Sequence, residues 1–487
     1  MQTNLRNDNA GYGSKQQREM SMATPSSTIG APPLQSVSAA AGSNPLLSGA
    51  ILPTLLKLAA PNMVAMVATA CVAIAETAYV GRLGIPQLAG FALAFPMVML
   101  MQMMSAGAMG GGVSSAISRA LGAGNVARAE ALARHAVLIA VTAGIAFTVL
   151  FWTLGPAIYR GLGGRGAALA EAIAYSNLVF LGAIGVWLAN TLASVLRGTG
   201  NMRVPSAVLL LVAALQVALG GLLGLGFGSF AGLGIGGVAF AQVIAFAVGA
   251  ACFAWHLTRP DARLRLRLRG SLHWDMFRDI LKVGAIACIS PVQSVLTVLV
   301  MTRLVAGLGT EALAGYGIGA RLEFLLVPIT FAIGVASVPM VGTAIGAGDV
   351  PRARRVTWTS GIFAGALIGS IGLLVALAPE LWTHLFTDNT GVLASARSYF
   401  VNAGPAYGFL GLALALYFAS MGSGKIIGPV IAQSVRLLVI ALGGWWLSMQ
   451  NAPPSALFAF VGLSLFAYGF VAFLSVALVK WEAGPRA

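Results

Sequence analysis

Charge is what this sequence has least of. Only 9% of its 487 residues are charged and 14 are acidic, against roughly 25% charged residues in a soluble domain. So few ionic groups cannot wet a globular exterior, which excludes an ordinary soluble protein. Cysteine is equally scarce. Cys71, Cys252 and Cys288 lie in or beside apolar runs, with neither metal spacing nor a disulfide framework. Four scattered histidines make no ligand cluster. No metal site, cofactor or catalytic group is therefore expected, which argues against a membrane enzyme. Residues 1–48 are rich in Ser, Gln, Asn and Gly and lack a basic stretch leading directly into a short apolar core. That composition predicts a disordered tail, not a cleaved signal peptide.

What is abundant is hydrocarbon: 58% of residues are hydrophobic and mean hydropathy is +0.87. Residues 204–255, 52 in all, and 437–479, another 43, contain no Asp, Glu, Lys, Arg or His. One membrane crossing needs about 20 apolar residues, so each run must be a hairpin of two helices. The same reading along the chain places helices near 54–79, 88–118, 131–155, 170–197, 204–225 and 234–257. Six more follow near 277–306, 312–343, 357–380, 393–420, 427–448 and 456–480. Of 29 Lys and Arg, 22 fall in the tail and the loops of one side, five fall opposite, and Arg321 and Arg436 lie within spans. The positive-inside rule puts both termini and the 22 in the cytoplasm. A net charge of +15 then needs no nucleic acid; anionic lipid is the natural partner of the basic loops. The expected organisation is a cytoplasmic tail over 1–50, a first lobe over 51–258, and a basic linker over 259–276 containing RLRLRLRG. A second lobe over 277–480 and a short tail over 481–487 complete it.

The two lobes repeat. RLGIPQLAGFAL at 82–93 resembles GLGTEALAGYGI at 307–318, and LLKLA at 55–59 resembles ILKVG at 280–284. RALGAGNVARA at 119–129 recurs as TAIGAGDVPRA at 343–353, and LRGTGNMRVP at 196–205 recurs as SMGSGKIIGP at 420–429. The last two recurrences share one offset, that from 119 to 343. Each lobe has an even number of spans, so the copies are parallel, related about an axis normal to the membrane, as in other transporters with such repeats. The expectation is an all-α polytopic membrane protein with twelve transmembrane helices in two parallel-repeat six-helix bundles. The Gly-x-Gly turns at Gly122/Gly124 and Gly346/Gly348 read as sharp helix connections, because no Lys-Ser/Thr pair or strand supports a nucleotide loop.

Few polar side chains remain inside the spans: Gln102, Asn177, Asn190, Ser194 and Gln216 in the first lobe, and Gln293, Ser294, Arg321, Glu323 and Arg436 in the second. Each can line a cavity or tie neighbouring helices together. Glu323 follows Arg321 by two residues, which suits either an ion pair or a vestibule. The methionines of MVMLMQMMSAGAM at 97–109 suit an adaptable pocket or ordinary packing. Glu76 stands apart. It is the only acid well inside a first-lobe span, and a carboxylate in hydrocarbon marks a functional candidate. The competing reading is a snorkelling acid paired with Arg82.

Pro61, ETAYVGRLG at 76–84, LAG at 88–90, GAGN at 122–125 and LRGTGN at 196–201, with their second-lobe counterparts, resemble the multidrug and toxic compound extrusion (MATE) family over about residues 50–480. The resemblance implies export of organic, often cationic, compounds driven by inward movement of protons or sodium ions. Glu76 matches the acidic position of the family's first helix, where Asp is the commoner choice. The fifth, seventh and tenth helices lack the acids that some members carry there, so the resemblance favours proton over sodium coupling through Glu76. A flippase for lipid-linked saccharides is the alternative within the superfamily, and it would want more cavity-facing arginines than Arg321 and Arg436. A multi-pass protein of a bacterial inner membrane, functional as a monomer, is expected.

Overall fold

The computed structural model describes residues 44–450 and 452–482; most of the expected N-terminal tail and residues 483–487 lie outside them. Long apolar helices account for the described chain: α1 (Ile51–Leu83), α2 (Ile85–Gly122), α3 (Val126–Gly161), α4 (Gly166–Leu181 with Ala183–Gly198), α5 (Arg203–Leu225), α6 (Ile235–Thr258), α7 (Trp274–Ala306), α8 (Thr310–Gly346), α9 (Val350–Leu377), α10 (Thr390–Ser423), α11 (Ile427–Met449) and α12 (Pro454–Leu478). The two parts of α4 meet at 49°. Eleven of the expected twelve spans are single helices long and apolar enough to cross a membrane, and the bent α4 pair makes the twelfth when counted as one span; most are longer than expected by one or two turns. The Gly-rich turn after α5 folds into a two-stranded hairpin, Gly226–Phe227 with Phe230–Ala231. Irregular chain over 259–273 joins the halves.

The turn residues act as their sequence suggests, and they act twice. Asn125 caps α3 by accepting from Arg128 N at 2.8 Å, and Asp349 caps α9 by accepting from Arg352 N at 2.9 Å. Before each cap stands a left-handed glycine, Gly124 at φ 78° and Gly348 at φ 81°, a conformation that costs a residue with a Cβ. Ordinary hydrogen-bonded turns, not phosphate cradles, are the result.

One expectation needs correcting. The tail was expected to run to residue 50, but Pro45–Ser48 is a helical turn. The cause lies in the second half: the buried Arg352 donates from Nε to Leu46 O at 2.9 Å and from Nη2 to Gly49 O at 2.6 Å. Leu46 packs with Leu55, Met340 and Ala344.

Apolar side chains gain little by leaving lipid for protein, so close backbone approach and polar contacts must hold the helices together. The two halves do meet that way. A Cβ on Gly122 would lie 2.2 Å from Thr343 O, and one on Gly346 would lie 2.1 Å from Arg119 O. These contacts are reciprocal, because 346 and 343 are the repeat equivalents of 122 and 119. Helices α2 and α8 therefore cross at equivalent places, as a two-fold relation requires. A Cβ on Gly112 would likewise sit 2.7 Å from Gly284 Cα. The crossing occurs at the end of the bundle that carries Arg119, Arg128, Arg352 and the 263–269 run, called here the arginine-rich end.

Candidate functional site

Glu76 belongs to the stripe of α1 that carries Val72 and Val80, one helical turn to either side, and this stripe faces the protein. It is 5% exposed. Gln216 of α5 donates from Nε2 to Glu76 Oε1 at 2.7 Å, so the two residues singled out separately in the sequence are one pair. Tyr175 of α4 lies within electrostatic range. Arg82 is exposed; among the described residues no ion pair joins it to Glu76. The snorkelling reading is therefore replaced by a buried carboxylate that a neutral amide holds. Glu76 lies seven residues from the end of α1, about 10 Å at 1.5 Å per residue.

A second polar cluster sits where α2 departs from regular geometry. Met103–Met109 is a π-helical segment, the kind of irregularity that frequently marks functional positions. Asn190 of α4 donates to Gln102 Oε1 at 3.0 Å and to Ser105 Oγ at 2.8 Å, and Ser194 donates to Asn190 O at 2.8 Å. Asn177 is not part of this cluster: its carbonyl accepts from Trp152 Nε1 at 3.0 Å.

In the second half, α7 and α11 are joined by two rungs. Gln293 Nε2 donates to Ser434 Oγ at 2.6 Å, and Gln433 Nε2 donates to Ser294 Oγ at 3.0 Å. Among the described residues Gln293 Oε1, which is buried, has no partner. Glu323 does not pair with Arg321, which is exposed and lies 5.1 Å over the ring of Phe386. Its cation is Arg436 of α11, 3.8 Å away, and Tyr399 of α10 donates its hydroxyl to the other oxygen. Tyr399 is the repeat equivalent of Tyr175. Each half thus sets one tyrosine of the repeat near a carboxylate that the repeat does not share.

Two further buried or paired charges lie outside the residues that the sequence singles out. Asp279 of α7 accepts from Arg119 of α2 at 2.7 Å and from Arg128 of α3 at 3.0 Å. Arg119 also donates to Ser115, whose hydroxyl is bonded to Met421 O. This network joins the halves at the arginine-rich end; arginines counted only as a loop charge gave no hint of it. Arg197, inside LRGTGN, is 2% exposed. The signal was available, because its counterpart in SMGSGK is Met421. An open groove of about 740 Å³ at the same end, lined by Ile51, Arg354, Arg355, Trp358 and Phe363, is remote from the polar pairs and faces the surface.

Comparison with known proteins gives a consistent picture. The MatE family model matches residues 61–222 and 287–446. The chain is 25% identical over 402 residues to a FAD transporter of Shewanella oneidensis, covering 82% of this chain and 88% of that protein. It is 25% identical over 413 residues to the probable multidrug resistance protein NorM of Thermotoga maritima, covering 84% and 88%. Among solved structures, a MOP superfamily transporter from Pyrococcus furiosus, described as having a binding pocket of reverse polarity, superimposes with a TM-score of 0.81 at 21% identity, over 89% of this chain and 97% of that one. An outward-facing multidrug resistance transporter of the same superfamily gives 0.79 at 21% identity, over 87% and 95%.

Proposed function

Because this chain belongs to the MatE family, whose members are transporters and not enzymes, we propose that it exports organic cations in exchange for protons, with Glu76 as the coupling carboxylate. Secondary active transport by alternating access is the family's mode of action, and the chain is a multi-pass membrane protein. The observation that carries the finer reading is the Glu76–Gln216 pair: a buried acid held by one neutral amide and, among the described residues, by no cation. A group of this kind can take a proton in one access state and release it in the other. A multi-carboxylate sodium site is disfavoured, because among the described residues no three His, Cys, Asp or Glu side chains come together as metal ligands. Lobes 51–258 and 277–480 rock about the linker over 259–276, and the arginine-rich end, with both termini, faces the cytoplasm of a bacterial cell. The protein acts as a monomer, with the basic loops against anionic lipid.

The test is flux in reconstituted vesicles. An imposed pH gradient should drive uptake of an organic cation by the wild type and not by Glu76→Gln, while a sodium gradient alone should drive neither. Sodium-driven flux with no response to pH would overturn proton coupling. A second reading, an anionic substrate, is favoured by similarity to the FAD transporter; competition between FAD and an organic cation in the same vesicles separates the two. The flippase alternative would require a lipid-linked saccharide to compete instead.

A further inference from the structure

Among the described residues, Arg197 is a cation without a counter-charge. It sits in the last turn of α4, buried, and there Nε and Nη1 both lack a hydrogen-bond partner. Among the described residues no acidic group acts on its charge. The carbonyls that end α4 offer only partial negative charge. Its neighbour Ser114 of α2 is 3% exposed, and its hydroxyl is also unpartnered. Both line a partly enclosed cavity of about 10 Å³ together with Ser194, and Val335 and Val338 of α8 wall it from the other half. That volume matches one water-sized sphere, so a chloride-sized ion enters only as the Arg197 and Ser114 side chains draw back slightly.

The internal repeat supplies a control. Ser114, Ser194 and Arg197 correspond, by the offset that relates Gly122 to Gly346, to Val338, Phe418 and Met421. The same helix crossing is therefore built in the second half from apolar side chains, so packing alone does not call for an arginine and two hydroxyls. A water could satisfy the orphaned donors but would leave a buried positive charge uncompensated, and such a charge is costly. We propose that this cavity binds one monatomic anion, chloride under physiological conditions, held by Arg197 Nε and Nη1 and by the Ser114 hydroxyl. Two of its walls belong to the opposite half, so the site is complete only while the arginine-rich end is closed. Chloride then stabilises that closed arrangement and acts as a modulator of the access equilibrium, separate from the coupling ion and the substrate.

The experiment uses the full-length protein in detergent with the three native cysteines replaced by alanine and Thr343→Cys introduced at the closed crossing. Maleimide labelling reports opening of that end. With ionic strength fixed and gluconate exchanged for chloride, labelling should slow saturably, by about tenfold at ten times the dissociation constant. Arg197→Met, which installs the residue used by the other half, should remove the response. Ser114→Ala should move the midpoint to higher chloride, and it carries the comparison if Arg197→Met does not fold. Crystals of the wild type grown in bromide should show an anomalous peak beside Arg197. A pocket without that peak, or wild-type labelling equal in chloride and gluconate, overturns the proposal and leaves the cavity to a water.

Discussion

Replacing Asp279 by Asn should unlatch the arginine-rich end. The carboxylate is bound by two arginines of the opposite half, one to each oxygen, at 2.7 and 3.0 Å. With charge centres about 4 Å apart and an effective dielectric constant near 20, each pair has a gross attraction of about 4 kcal/mol. Desolvation and the ordering of long side chains offset most of it. Arg128, 38% exposed, keeps only a few tenths of a kcal/mol after screening, about 0.4. Arg119, at 17%, keeps about 1.5 kcal/mol as a charge-assisted bond. Their sum, about 2 kcal/mol, corresponds to roughly a 25-fold shift toward opening. The rate of labelling at Thr343→Cys reads that population directly, and Asp279→Asn should raise it by about that factor. Asp279→Glu should lie between the two. Labelling of Asp279→Asn at the parent's rate, with the protein folded, would refute the assignment of this triad as a latch.

Glu76→Gln should abolish gradient-driven flux at unchanged expression, Glu76→Asp should retain part of it, and Arg82→Ala should be mild, all measured in vesicles with matched protein. Glu323→Gln leaves Arg436 partly buried without its carboxylate and should lower unfolding stability by about 2 kcal/mol; adding Arg436→Met should recover much of that loss in a thermal melt. Gly122→Val places side-chain atoms where Thr343 O already stands, so the crossing cannot close, and spin labels across the arginine-rich end should report a longer distance. Tags at positions 163 and 388 should react in intact cells and a tag at 265 should not; labelling at 265 would invert the topology.

The parts of this fold that local chemistry dictates were legible in the sequence. Spans of about 20 or more apolar residues have no other solution in a bilayer, and the Asn125 and Asp349 caps follow from side chains that bond their own turns. The partners were not legible. Gln216 is 140 residues from Glu76, and Arg436 is farther from Glu323 than Arg321 is in sequence, yet it wins because its side chain reaches Glu323 from α11 while Arg321 lies exposed over Phe386. Sequence spacing ranks neighbours along one helix; here the interior is decided by which helices touch. The bend at Gly182 and the π-helical segment at Met103–Met109 likewise depend on packing, since neither carries a proline that would mark it. The short helix at Pro45–Ser48 owes its order to Arg352, 306 residues away from Leu46.

The reciprocal crossing of Gly122 on Thr343 and Gly346 on Arg119 has a bearing on ancestry. Two separate copies of one half, meeting across a two-fold axis, would be obliged to present the same residue on both sides. A change such as Ser114 against Val338, or Arg197 against Met421, would then appear in duplicate and bring two buried cations to one seam. Covalent fusion lifts that obligation. Once the copies share a chain, one can acquire a carboxylate in its first helix and an arginine at the seam while the other stays apolar at both equivalents, Met301 and Met421. The glycines that permit contact are shared by descent, and the ionisable groups record what each half learned to do after the two became one molecule.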